Sequence, residues 1–293
     1  MADIERIPVL KTWKLFVKGG FPRSESGRTL ALHGHGGELV AHLSHASRKD
    51  LRDAVEAARG AFPGWSGATA YLRGQIVYRL AEMLEGRRAD LADGIRTTTG
   101  VSRKKAEAEV DEAIDRTVCW AGWCDKFQMV LGSRNPVAGP YHNFSMPEPS
   151  GVCVVLQADA GETPLLGFLS LVLPPWCAGN AVVAVADAKH PLGALLVAES
   201  APTADVPAGS LNVLTGQAAE LAGWIASHRD VDSVHAQAKG EIAAALRAGA
   251  AENLKRVAVL RPDENFADID RWTNPRRLAM FVETKTIWHP SGA

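Results

Sequence analysis

Four thiols and nine imidazoles are the side chains of this sequence best suited to nucleophilic or metal chemistry, and their spacing supports neither. Cys119, Cys124, Cys153 and Cys177 form no C-x-x-C pair, so the pattern fits no zinc site, redox motif or disulfide framework, and a reducing cytoplasm is the expected compartment. Cys153 lies inside the apolar run 152–156 and Cys177 inside an apolar helical stretch, so both read as small buried hydrophobes. His33 with Gly34-His35-Gly36-Gly37 has the residue types for a metal or a phosphate. It reads instead as a glycine turn, with His42 and His45 too loosely placed to complete a ligand set. The basic triplet Arg103-Lys104-Lys105 sits in a mixed-charge stretch and reads as a solvated helix face. A net charge of -1 leaves no electrostatic footprint for nucleic acid or an acidic membrane.

The elements that must position any site come in two styles. Residues 11–45 alternate short apolar runs with Gly and Ser, which predicts an extended arm with hairpins. Four helices follow: one capped by Ser47 and ended by Pro63-Gly64, then 70–84, 88–98 and 102–123. Residues 133–150 are rich in Pro and Gly, include Tyr141-His142-Asn143-Phe144, and predict a ribbon leaving the body. From 151 onward, apolar β-rich runs at 152–156, 181–185, 210–214, 231–234 and 256–260 alternate with helical stretches at 164–177, 191–200, 218–225 and 241–246. That alternation predicts an α/β fold with a parallel sheet covered on both faces. Ligands of such sheets sit beyond the C-terminal strand ends, so the loops after Leu156, Val185, Val234 and Leu260 matter. The last segment, 278–290, is β-rich and must pair with something. The N-terminus, Met-Ala-Asp-Ile-Glu-Arg, lacks the plan of a signal peptide, and no window has the length of a membrane helix.

Several runs, in order, resemble the aldehyde dehydrogenase superfamily across nearly the whole chain. Val55-Glu-Ala-Ala-Arg-Gly-Ala-Phe-Pro-Gly-Trp65 is similar to its first helix, and Trp120-Ala121-Gly122-Trp123 to a later one. Ala178-Gly179-Asn180-Ala181-Val182-Val183 resembles its AGNxVV run. Pro207-Ala208-Gly209-Ser210-Leu211-Asn212-Val213-Leu214-Thr215-Gly216 resembles PxGxxNVVTG, and His228-Arg229-Asp230-Val231-Asp232 resembles HPDVD. The resemblance implies a Rossmann-like parallel sheet with flanking helices plus a β-ribbon oligomerisation element.

Against that pattern the loops carry other residues. Glu162 stands in the place of the family's asparagine, whose amide stabilises an oxyanion; a carboxylate repels one. Val185 and Ala188 replace the Lys and Glu that hold the adenosine ribose, and Asp187 between them reads as a loop or capping carboxylate. Ala238 replaces the glycine that lets backbone approach the cofactor phosphates. Lys239 beside it reads as a surface lysine, with a phosphate as the other option. Leu260 stands where the general base would be, and the domain that carries the nucleophilic cysteine is read as missing.

Three regions are therefore expected: an N-terminal arm and helices over 1–132, a degenerate Rossmann-like domain over 151–277, and an oligomerisation ribbon from 133–150 with 278–293. No catalytic, cofactor-binding or metal-binding residue is retained, and NAD is not expected as a cofactor. Tyr141, Phe144, Met280, Phe281, Val282, Ile287 and Trp288 are the expected interface. The implied function is a non-catalytic subunit that assembles in a hetero-oligomer with a full-length aldehyde dehydrogenase, with an upstream aldehyde-producing enzyme as a further partner. The rivals are a nucleotide-binding regulatory module and a weakly active NAD-dependent oxidoreductase.

Overall fold

The computed structural model describes residues 9–291; the N-terminal hexapeptide and positions 292–293 of the ribbon lie outside that range. The arm contains β1 (Thr12–Trp13), β2 (Thr29–His33) and β3 (Leu39–Ser44), in a small sheet of order β1-β3-β2. Four helices follow, α1 (Arg48–Gly67), α2 (Ala70–Glu85), α3 (Arg88–Thr99) and α4 (Arg103–Trp123), and then the short α5 (Phe127–Leu131). The ribbon strands β4 (Ser133–Asn135) and β5 (Tyr141–Pro149) lead into the alternating section. There β6 (Val152–Gln157), α6 (Pro164–Cys177), β7 (Ala181–Ala186), α7 (Leu192–Ser200), β8 (Leu211–Thr215), α8 (Ala218–Ser227), β9 (Ser233–Gln237), α9 (Gly240–Ala251) and β10 (Arg256–Leu260) succeed one another. The chain ends through α10 (Ile269–Trp272), a 3₁₀ helix (Pro275–Phe281) and β11 (Val282–Pro290).

The central sheet is parallel throughout, in the order β10-β9-β6-β7-β8. Its strands alternate their side chains between two cores. Cys153, Val155, Val182 and Ala184 face α2–α4 and α6, while Val152, Val154, Leu156, Val183 and Val185 face α1, α8 and α9. Burial on both faces explains why these strands read as unbroken apolar runs. It also pushes the Cys153 thiol up to about 12, the behaviour of an inert core residue. The start of β6 is clamped by Asp232. Its carboxylate accepts the Val152 N–H at 2.6 Å and pairs with Arg59 of α1 at 2.5 Å. Gly151, at φ +139°, must be glycine there because a Cβ would lie 2.0 Å from that carboxylate.

Three boundaries differ from the sequence expectation. The first helix does not stop at Pro63 but runs through it to Gly67. Proline costs one backbone hydrogen bond, that to Arg59 O, yet Trp65 anchors the last turn. Its ring stacks on Trp176 at 5.1 Å and its Nε1–H donates to Trp176 O at 3.0 Å. The fourth strand lies at 233–237 rather than 231–234, because Asp232 is consumed in clamping β6. The following helix runs twice as far as expected, over Gly240–Ala251.

Residues 262–281 form a plug over the α4–α6 face of the sheet. Phe266, Trp272, Leu278 and Phe281 are buried there. Arg116 donates to Phe266 O at 2.9 Å and Trp120 to Trp272 O at 3.2 Å. The plug overturns part of the expected interface. Met280 and Phe281 belong to the 3₁₀ helix, not to the strand, and Phe281 and Val282 are buried in this chain's own core. Without Trp272 the plug loses its central side chain. Trp272→Ala is expected to lower stability by about 3–5 kcal/mol, the range for a buried Trp truncation, in chemical denaturation; a loss below about 1 kcal/mol would show that the plug rests on the surface rather than in the core.

Candidate functional site: the strand-end crevice and the ribbon

The strands β6 and β9 end side by side, with Gln157 opposite Gln237, at the point where the sheet order reverses. The loop 158–163 crosses that point and is pinned through three side-chain carboxylates. Asp159 pairs with Lys239 at 3.0 Å, Ala160 N–H donates to Asp187 at 2.9 Å, and Glu162 pairs with Lys105 of α4. Lys239 is thus engaged by a carboxylate of this chain. Glu162 is exposed and drawn toward α4, and the Lys105 ammonium holds its carboxyl below the usual range.

Asp187 is buried, and its carboxylate is spent on the chain's own N–H groups: Ala160, Lys189 at 2.6 Å and His190 at 3.0 Å. It is a loop-capping residue. Val185 is fully buried in the core. Ala188 offers only a methyl to the adjoining crevice, a space of about 550 Å³ whose lining includes His35, Gln157, Lys189, His190 and Gln217. His33 precedes, and His35 lies within, a turn in which Gly37 N–H donates to Gly34 O; His35 N–H donates to Thr97 O, which docks that turn on α3. No group of three or more His, Cys, Asp or Glu able to hold a metal occurs among the described residues. Leu260 packs its side chain against the core and offers no acid or base.

Two titratable groups near the site went unmarked in the sequence. Glu109 of α4 is buried and accepts N–H groups of Leu165 and Leu166 at 2.8 and 3.1 Å, serving the N-terminus of α6. Burial outweighs these bonds and pushes its carboxyl up to about 7. The available signal was position: Ala106, Glu109, Val110, Ala113, Arg116, Thr117 and Trp120 share one helical stripe. His235 of β9 is buried under the plug, 5.1 Å from Phe281 and 6.3 Å from Trp272. Its Nδ1 bonds to Leu171 O at 2.9 Å, which places the proton on that nitrogen, and burial lowers its pKa to about 4.

At the other end of the molecule, β11 pairs antiparallel with β5 over nine positions, from Val282↔Pro149 to Pro290↔Tyr141, and β4 flanks β5 on its far side. The terminal strand therefore finds its first partner within the chain, leaving its outer edge open. The register divides the expected interface residues. Phe144 lies opposite Ile287 on one face, whereas Tyr141 and Trp288 meet edge-to-face at 5.8 Å on the other. The second face also carries a polar ladder, Asn135 to Asn143 at 2.6 Å and Ser145 to Thr286 at 2.9 Å.

The aldehyde dehydrogenase family profile matches residues 22–267. The chain belongs to the aldehyde dehydrogenase family. It is 32% identical to human retinal dehydrogenase 2 over 271 residues, covering 89% of this chain and 51% of that protein. It is 30% identical over 268 residues to the putative aldehyde dehydrogenase DhaS of Bacillus subtilis, covering 87% and 53%. PnpE from Pseudomonas sp. WBC-3 superposes with a TM-score of 0.80 at 26% identity, over 85% of this chain and 50% of that one. A structure of PnpE in complex with nicotinamide adenine dinucleotide matches equally, at 0.80. The chain spans about half the length of the curated relatives it matches. Among the described residues, no helix is long and apolar enough to cross a membrane.

Glu109 and His235 pull stability in opposite directions with pH. A carboxyl raised from 4.5 to about 7 favours the fold at low pH and loses that contribution as pH rises through 7. A histidine lowered from 6.5 to about 4 favours the fold above pH 6.5 and loses it as pH falls. Each amounts to about 3 kcal/mol in full. Between pH 7 and 4.5, Glu109→Gln should lose more stability than the parent chain on acidification, and His235→Leu less. Parallel stability–pH curves for all three proteins would refute both assignments.

Proposed function

We propose that this member of the family is a non-catalytic subunit that assembles through its ribbon with a full-length, active aldehyde dehydrogenase. The observation that carries the reading is the state of the strand-end loops: the three charged groups set at the family's chemical positions or beside them are engaged by this chain itself. Lys239 is held by Asp159, Glu162 by Lys105, and Asp187 by three backbone N–H groups. At the positions where the family resemblance implies NAD contacts, this chain carries the buried Val185, Ala188 without a carboxylate and the Ala238 methyl. The residues present do not fit that cofactor. A carboxylate at Glu162 opposes an oxyanion rather than stabilising it, and a lost oxyanion donor alone costs on the order of 3 kcal/mol of barrier.

The open edge of β11 supports the assembly half of the reading. An unpaired strand edge is a template for a further strand, and adding one satisfies its backbone groups. Exposed Tyr141 and Trp288 and half-buried Phe144 and Ile287 place apolar surface on both faces beside that edge. Phe281 and Val282 serve the chain's own core, so a cut before them would damage the body as well as the ribbon. The decisive truncation therefore begins at residue 284.

The purified chain is expected to show no NAD-dependent aldehyde oxidation and no calorimetric NAD binding in the micromolar range. Turnover of about 1 per second or faster, the ordinary enzyme range, would sink the non-catalytic reading. Micromolar NAD binding that disappears in Lys239→Ala would favour a nucleotide-binding regulator instead. Co-expression with a full-length relative should give a defined complex, abolished by removing residues 284–293 while the thermal transition of the body persists. Full co-purification of the truncated chain would place the contact elsewhere.

A further inference from the structure

The far end of the ribbon has a different construction from its base. β4 stops at Asn135, opposite Asn143, so beyond that point only β5 and β11 remain. A two-stranded ribbon is marginal in water without further support. On one face the Tyr141–Trp288 contact supplies it. On the opposite face His142 and His289 stand directly across from each other in the register, both exposed. No hydrogen bond or ion pair engages either ring among the described residues; the His142 ring only tilts toward Phe144, at 5.3 Å.

Directly opposed residues of an antiparallel pair have Cβ atoms about 4.5–5.5 Å apart. Two imidazoles on that spacing can close on one cation, each with a nitrogen about 2.0–2.1 Å from it. Imidazole suits zinc, copper and nickel, and is a poor ligand for magnesium or calcium. The neighbouring positions on this face are Phe144 and Ile287, followed by Met146 and Lys285, so among the described residues no side-chain carboxylate adjoins the pair. The described residues contain no third His, Cys, Asp or Glu for such a site, so water completes the shell.

We propose that His142 and His289 form a two-histidine site for a divalent zinc, nickel or copper ion, which clamps β11 to β5 at the ribbon tip. The site is a property of the chain alone and stands apart from any partner. Metal occupancy would then set how much of the ribbon is ordered and available as a strand template.

Calorimetric titration of the full chain with zinc and nickel chlorides, with magnesium as the hard-ion control, tests the binding. One zinc or nickel ion per chain is expected, with no magnesium uptake. His142→Asn and His289→Asn should each weaken binding tenfold or more, by similar factors, because a chelate fails when either arm is lost. Binding that survives in the double variant, or depends on only one of the two residues, overturns the proposal, as does the absence of zinc and nickel binding. Hydrogen exchange gives the second readout: zinc should slow exchange of amides near 141–145 and 285–290 in the parent chain and not in the double variant. Uptake with no change in exchange would refute the clamp.

Discussion

The structure depends on one constraint: a parallel sheet is stable in water only when both of its faces are covered. Strand β6 shows it most plainly, paired on both edges and buried on both faces along its whole length. One face is sealed by α1, α8 and α9. The other is sealed by α2–α4 and α6 and completed by the 262–281 plug. Four aromatic or aliphatic side chains of the plug enter that core, and its backbone is tied down by Arg116 and Trp120. A chain that left this face open would expose a broad apolar surface.

Covering the sheet so completely has electrostatic consequences. Groups that must sit beneath the cover are driven toward their neutral forms, as His235 is under the plug and Glu109 at the foot of α6. Neither faces the strand-end crevice as a reagent. At the crevice rim two pairs behave in the opposite way and stay exposed, Asp159 with Lys239 and Glu162 with Lys105. Exposed pairs of this kind contribute little to stability. Their effect is local, since a lysine held by a carboxylate of its own chain is less available to a phosphate.

The ribbon has partly uncovered faces and a free edge nine residues long on β11. Its base is three strands wide and laced by Asn135, Asn143, Ser145 and Thr286. Its tip keeps only the β5–β11 pairing, with side chains packed on each face. Such an element keeps its register through specific cross-strand pairs rather than through a core.

The strand–helix alternation from 151 to 260, the helices before it and the family itself could be read from the sequence, because period-2 and period-3.6 patterns and short turn signals are local properties. So could the burial of Cys153 and Cys177, each embedded in an apolar run. The continuation of α1 through Pro63 could not, since a distant Trp176 decides it. The split of the ribbon residues could not either. Phe281 and Val282 look the same as Ile287 and Trp288 in sequence, and only the packing of the plug sends the first two inward. Glu109, His235 and the Lys239–Asp159 pair were hidden for the same reason. A charge's role depends on which residues lie beside it in space, and the partners here are 56, 64 and 80 positions away (165 − 109, 235 − 171 and 239 − 159).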